Sequence, residues 1–324
     1  MKSYRVPHTD LDVSRIGYGC MNLGGSWDDA PLGKAERSRA AQLVATAIEQ
    51  GITLFDHADI YTWGKSEAVF GEVLQQLPGV RDKIVVQSKC GIRLQDDPQP
   101  RDPPRYDFSY QHILRAVEGS LRRLNTTHLD VLLLHRPDAL VEPEEVAKAF
   151  AELRRSGKVR YFGVSNHTAA QISLLQKHLD QPLVINQVEL NLLHAHLIND
   201  GIVANQEGDQ YRAAAGTLDY CRLHDVMIQA WSPVAVGKLM DPPPDAEEQI
   251  RNAAAKVAQL AKTKHTSKEA IALAWLLRHP AGIQPLVGTT NRDHLIASCL
   301  ADRLDLSREE WYALFAAARG APVP

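Results

Sequence analysis

The sequence predicts an α/β protein, a single (β/α)8 TIM-type barrel over residues 1–324 with long loops at its C-terminal face, on three observations. Short apolar runs alternate with helical periodicity from Arg39 onward, as repeated β-α units do when both faces of each strand are covered. About eight such runs can be found, and eight parallel strands close most naturally into a barrel. The runner-up, an open doubly wound sheet, carries a Gly-x-Gly-x-x-Gly turn after its first strand, which Gly17-Tyr18-Gly19-Cys20-Met21-Asn22 does not fit.

The first strand is expected at residues 16–19 and the first helix at 34–50, where Ala40, Leu43, Val44, Ala47 and Ile48 recur at helical spacing. Gly51 stops that helix, because glycine can take the left-handed backbone a C-terminus needs. The second strand, 52–55, runs at once into Asp56. Further strands are expected at 84–87, 131–134, 159–164, 183–187, 226–230 and 283–287. Helices fit 67–76, 109–124, 143–156, 169–179, 213–224, 270–278 and 292–300. Three segments break the repeat: a Pro/Asp/Arg-rich loop at 94–107, a polar stretch at 193–212 and a proline cluster at 241–245 before a helix. Each follows a strand, so in a barrel it rises from the C-terminal face and is expected to wall a substrate pocket; a solvated loop without that contact is an equal alternative.

A chain of 324 residues leaves one or two domains open by length alone. An apolar fraction of 44% and a net charge of −3 describe a soluble globular protein with no pull toward nucleic acid or other polyanions. The start, Met1-Lys2-Ser3-Tyr4-Arg5-Val6-Pro7-His8, lacks the apolar run of a signal peptide, and no stretch approaches membrane-spanning length. The expected compartment is the cytoplasm, with no membrane partner. Cys20, Cys90, Cys221 and Cys299 are scattered without a C-x-x-C pair, against a zinc ribbon or a disulfide scaffold.

Four polar residues stand where the expected strands run out: Asp56, Tyr61 in the loop beyond it, Lys89 and His135. A proton donor, a cation, a carboxylate to hold the cation and an imidazole are the equipment for carbonyl reduction. A phenol of pKa near 10 is a poor acid at neutral pH, so Tyr61 needs help. An ammonium ~4 Å away, at an effective dielectric of ~20, contributes about 4 kcal/mol, or roughly 3 pKa units downward. Burial alone would discharge Lys89, and Asp56 is placed to keep it protonated. His135, neutral at working pH, is suited to donate a hydrogen bond to a carbonyl oxygen. Each residue alone reads more readily as a structural ion pair, half-buried packing or a satisfied polar group; it is their joint pattern that points to catalysis. No metal is expected, since the paired His-x-His of many barrel hydrolases is absent from the first strand and His194-x-His196 falls in a loop. His57, Trp63 and Arg93 are expected to line the substrate pocket.

The run Gly51-Ile52-Thr53-Leu54-Phe55-Asp56-His57-Ala58-Asp59-Ile60-Tyr61, continued by Glu67 and Gly71, resembles the active-site signature of the aldo-keto reductases. Ser88-Lys89-Cys90, Leu134-His135-Arg136-Pro137, Gly163-Val164-Ser165-Asn166, Asn186-Gln187-Val188-Glu189, Ala230-Trp231-Ser232-Pro233 and Gly288-Thr289-Thr290 extend the likeness in order, from Ile16 to about Trp311. The resemblance implies an NAD(P)H-dependent oxidoreductase that reduces aldehydes or ketones, with NADPH favoured over NADH. It assigns the nicotinamide carboxamide to Ser165, Asn166 and Gln187, sets Trp231 against the ring, and adds Gly19, Cys20, Met21 and Asp56 beside it. Ser232, Pro233, Val234, Gly237 and Lys238 would surround the pyrophosphate, and Gly288, Thr289, Thr290, Arg292, His294 and Ser298 the adenine end. Here the chain departs from the family, which carries an Arg where His294 stands, an Asn where Ser298 falls and a further cation nearby. Arg292 is the available substitute for a 2′-phosphate clamp. The same likeness implies a monomer, and it keeps one alternative open: relatives of this fold serve as accessory β subunits of potassium channels, cofactor-binding regulators with little turnover.

Overall fold

Eight parallel strands close on themselves: β1 (Gly17–Gly19), β2 (Leu54–Asp56), β3 (Val85–Cys90), β4 (Leu129–Leu134), β5 (Val159–Ser165), β6 (Leu183–Glu189), β7 (Met227–Trp231) and β8 (Gln284–Val287), with β8 paired back to β1. The structure, a computed structural model, describes residues 1–203 and 214–323. Part of the expected polar stretch, 204–212, and the first residue of the helix expected at 213–224 lie outside the described residues. Strands begin or end within a few residues of their expected places, and β3 runs on through Lys89 to Cys90.

The helices outside the barrel are α1 (Lys34–Glu49), α2 (Lys65–Gln75), α3 (Tyr110–Leu124), α4 (Pro143–Arg155), α5 (Ala169–Gln176), α6 (His196–Ile202), α7 (Thr217–Leu223), α8 (Glu248–Thr263), α9 (Lys268–Leu277), α10 (Arg292–Cys299) and α11 (Arg308–Arg319). Two of these, α6 and α11, were not expected, while α8 is the helix expected, without bounds, after the 241–245 proline cluster. α8 buries Ala253, Ala254, Val257, Leu260 and Ala261 along one face. α11 opens on a capping box between Ser307 and Glu310 and stacks Trp311 on Trp275, with ring centroids 5.1 Å apart.

The N-terminus forms a hairpin, Ser3–Arg5 with Asp12–Ser14, whose Val6, Leu11 and Val13 pack with Leu54, Val85, Val131, Val184, Met227 and Leu286 inside the barrel. This apolar plug closes the floor at the strand N-termini, leaving the opposite mouth for chemistry. A second core fills the layer between strands and helices. The 94–107 loop is framed by a small hairpin, Ile92–Arg93 with Arg105–Tyr106. Among the described residues, no helix is long and apolar enough to cross a membrane.

Candidate active site

The ends of β2, β3 and β4 bring three side chains to one point. β2 ends at Asp56, β3 carries Lys89 one residue before its end, and His135 follows β4 directly. Tyr61 opens a short 3-10 turn, Tyr61–Gly64, in which Thr62 and Trp63 have φ of 48° and 60°. A β-branched residue there is strained, and the turn holds because Thr62 Oγ1 pairs with Ser66 Oγ at 2.9 Å while Gly24 packs against it. A Cβ at Gly24 would come within 2.3 Å of Thr62 Oγ1.

Lys89 Nζ is buried and donates to Asp56 Oδ1 at 2.9 Å, Asp56 Oδ2 at 2.8 Å, the His57 carbonyl at 2.8 Å and Tyr61 Oη at 3.0 Å. Because the ammonium can only donate, the phenol oxygen accepts from it and keeps its own proton for another acceptor. Burial works against the Lys89 charge, but Asp56 and Tyr61 outweigh it and raise the ammonium above its ordinary value. For Tyr61 the balance falls the other way. Burial raises the phenol, the Lys89 ammonium pulls it down, Asp56 pushes it up, and the net result lies above 10.0. The expectation that Lys89 brings the phenol toward neutrality is corrected here, because desolvation of the phenolate is the larger effect.

His135 is buried with its ring edge-on to Tyr61, centroids 5.7 Å apart, and its Nδ1 has no partner among the described residues. Burial, then the charges of Lys89 and Arg136, push this imidazole well below 6.5, so it is neutral at physiological pH. Beside it, Asn166, at φ 60°, donates through Nδ2 to the His135 carbonyl at 3.3 Å and to Ser165 Oγ at 2.8 Å. Its Oδ1 accepts from Trp231 Nε1 at 3.0 Å, and the Arg136 guanidinium lies 5.6 Å from the Trp231 ring centroid. Gln187 Nε2 donates to Asp56 Oδ1 and to Gln229 Oε1, each at 3.0 Å.

The three residues expected in the substrate pocket separate. Trp63 stands at the mouth, 54% exposed. His57 does not line it: its ring is fully buried against Phe70, centroids 4.5 Å apart, and burial with the Lys89 charge lowers it to about 3. Arg93 is buried as well, its Nε on Asp107 Oδ2 at 2.6 Å and its Nη1 3.3 Å from Asp97, so it pins the 94–107 loop.

Gly19 and Gly288 face one another across β1 and β8, and a Cβ on Gly19 would sit 3.6 Å from Gly288 Cα. Cys20 is fully buried and Met21 exposed at the same edge. In the loop after β7, Ser232, Ala235, Val236 and Gly237 all have positive φ, Val236 is 87% exposed, and nothing lies within 4 Å of where a Gly237 Cβ would be. Pro233, Val234 and Lys238 belong to this same loop.

At the start of α10 the Asn291 side chain accepts from the amides of Asp293 and His294, so those donors are already taken. His294 Nδ1 is 2.6 Å from Glu269 Oε1, Ser298 Oγ turns back onto the His294 carbonyl, and Arg292 Nε donates to Thr46 Oγ1 at 3.2 Å. Thr290 is exposed, while the Thr289 carbonyl accepts from Tyr18 Oη at 3.0 Å.

The sequence reading missed Gln87, Gln229 and Gln284, which join Gln187 inside the barrel beneath Asp56. The signal was a glutamine set in each of three otherwise apolar strand runs, Val85-Val86-Gln87, Met227-Ile228-Gln229-Ala230 and Ile283-Gln284-Pro285-Leu286. Among the described residues, no group of three or more His, Cys, Asp or Glu could hold a metal ion.

Comparison with known proteins bears on this geometry. A model of the aldo/keto reductase family matches residues 15–318. An uncharacterized oxidoreductase of Bacillus subtilis is 37% identical over 317 residues, covering 97% of each chain. A protein of Agrobacterium fabrum named 6-dehydroglucose reductase is 35% identical over 317 residues, again 97% of both. Among solved structures, an aldo-keto reductase from Klebsiella pneumoniae in complex with NADPH shares 26% identity and a TM-score of 0.73, covering 97% of this chain and 93% of that one.

Proposed function

This chain belongs to the aldo/keto reductase family, and from that premise we propose that it reduces the carbonyl group of a small aldehyde or ketone to an alcohol, using NADPH. The mouth fits such a cofactor. Gln187 gives both amide protons inward, leaving its Oε1 without a donor among the described residues and suited to a carboxamide N–H. Trp231 is held in place at its Nε1 and offers a flat ring, the facing glycines permit close backbone approach, and the strained loop around Gly237 and Lys238 stands open. A nicotinamide supplies the hydride for the carbonyl carbon; the chain's own residues handle the oxygen.

Tyr61 gives that oxygen its proton. Burial keeps the phenol protonated at rest, so the acid is always loaded. As the proton leaves, a phenolate forms 3.0 Å from the Lys89 ammonium, an attraction of about 5 kcal/mol at an effective dielectric of ~20. Asp56 holds the ammonium in position and charged. The neutral imidazole of His135 orients the carbonyl oxygen without competing for its proton. The single observation carrying this reading is the Lys89 ammonium bonded at once to Asp56 and to Tyr61 Oη.

For the 2′-phosphate we assign Arg292, whose terminal guanidinium nitrogens remain for an anion while His294 is committed to Glu269. Four unpaired, buried thiols fit a reducing compartment such as the cytoplasm. The alternative, a cofactor-binding subunit with little turnover, keeps the same motifs, but the relatives named above are oxidoreductases and do not favour it.

The test is consumption of NADPH with a panel of aldehydes and ketones, by wild type and Tyr61→Phe. The variant is expected to lose roughly 100-fold or more in kcat while binding NADPH as before. Turnover that survives in Tyr61→Phe, or a matching collapse of NADPH affinity, would make Tyr61 a structural residue.

A further inference from the structure

Barrel interiors of this class are usually filled by branched aliphatic side chains, but the layer beneath Asp56 is built of amides. Gln187, Gln229 and Gln284 are register neighbours on β6, β7 and β8, and Gln87 lies opposite Asp56 across β2 and β3. All four are at most 2% exposed.

Their orientation follows from the ends of the chain they form. The Ser14 carbonyl, at the barrel floor, can only accept, so Gln284 must present its NH2 there, at 2.6 Å. Gln284 Oε1 then faces Gln229, whose NH2 donates to it at 2.9 Å. Gln229 Oε1 in turn accepts from Gln87 at 2.8 Å and from Gln187 at 3.0 Å. The second protons of those two amides go to one atom, Asp56 Oδ1, at 2.6 and 3.0 Å. A backbone carbonyl on the floor thus sets the direction of every amide, and the two at the top of the chain, Gln87 and Gln187, aim N–H at the catalytic carboxylate.

The arrangement is costly for stability alone. Gln87 Oε1 is buried without a partner among the described residues, and a partly satisfied polar network is worse for folding than an aliphatic layer. We propose that Gln87, backed by Gln229 and Gln284, is a positioning residue for proton transfer: it fixes Asp56 from below so that the Lys89 ammonium stays seated against Tyr61 Oη.

This rests on the roles given above to Asp56, Lys89 and Tyr61. Its consequence is specific, because N–H donors favour the ionised form of a carboxylate. Without Gln87 the carboxylate takes a proton more readily and releases Lys89. The acid limb of the kcat profile should therefore move upward.

The experiment uses the full chain with NADPH and the best aldehyde from the panel. Gln87→Met is expected to lower kcat at neutral pH about tenfold and to raise the acid limb by about one pH unit, a tenfold change in proton affinity. NADPH Kd and aldehyde KM should stay within about threefold. Gln229→Met, one bond further back, should move the limb the same way by less. Gln87→Glu has a donor only while its carboxyl is protonated, so it should outperform Gln87→Met at acid pH and lose that advantage as pH rises. An acid limb unmoved in both methionine variants overturns the proposal, as does a kcat loss that only follows lost cofactor binding or a lowered Tm. If Gln87→Met does not fold, Gln229→Met and Gln284→Met decide it, with an unmoved limb in both counting against. Failure of the parent reading looks different: wild type without NADPH turnover, or Tyr61→Phe with it.

Discussion

Lys89→Met removes the charge on which the site turns while keeping most of the side-chain volume. The ammonium sits 3.0 Å from Tyr61 Oη, and at an effective dielectric of ~20 its attraction for the developing phenolate is about 5 kcal/mol. Asp56, bonded to the same nitrogen, offsets part of that. About 3 kcal/mol is left, equivalent to a loss of roughly 100-fold in kcat. Folding suffers too, because a carboxylate at 3% exposure loses its counter-ion, a change that costs about 3–5 kcal/mol.

The two effects separate in the double variant Asp56→Asn with Lys89→Met, which removes the unpaired charge and should recover most of the Tm without recovering turnover. The assay is steady-state kcat at saturating NADPH, with cofactor Kd by fluorescence quenching and Tm on the same samples. Turnover within about threefold of wild type in Lys89→Met, or turnover returning with stability in the double variant, would refute the reasoning. The pair also sets a pH window. Lys89 is raised above its ordinary 10.5, so its contribution to stability is complete below that value and is lost only as pH rises through the folded value.

Further expectations concern other residues. Arg292→Ala should lower kcat/KM about tenfold or more with NADPH and leave it nearly unchanged with NADH; equal losses with both cofactors would remove Arg292 from the phosphate site. His57 is buried and neutral, lowered from 6.5 to about 3, so its contribution is present above 6.5 and is lost as pH falls toward 3. His57→Leu should therefore raise Tm at pH ~5, where the cost amounts to roughly 2 kcal/mol, and change it little at pH ~8. A gain equal at both pH values would mean that packing, not protonation, is responsible.

The β-α alternation was legible along the chain because a strand covered on both faces writes a continuous apolar run and an amphipathic helix writes a 3.6-residue period. Asp56, Tyr61, Lys89 and His135 were legible for a related reason: each follows or closes such a run, and strand ends of a barrel share one face. α6 was not, since its seven residues are too few to write a clear helical period. His57 and Arg93 looked like pocket residues because their types suit one; burial against Phe70 and ion pairs with Asp97 and Asp107 put them elsewhere.

Local pattern and motif spacing were thus enough for the barrel, the family and the placing of Asp56, Tyr61, Lys89 and His135 on one face, since all of these are encoded between neighbours in the chain. Folding alone could decide the remainder. Gln87 meets Gln229 across 142 positions of sequence, and Asp56 meets Gln187 across 131. The sign of the Tyr61 shift likewise depends on how much water the closed barrel removes from the phenol. Desolvation and contacts between distant strands are sums over the whole assembled structure, and no window of residues contains them.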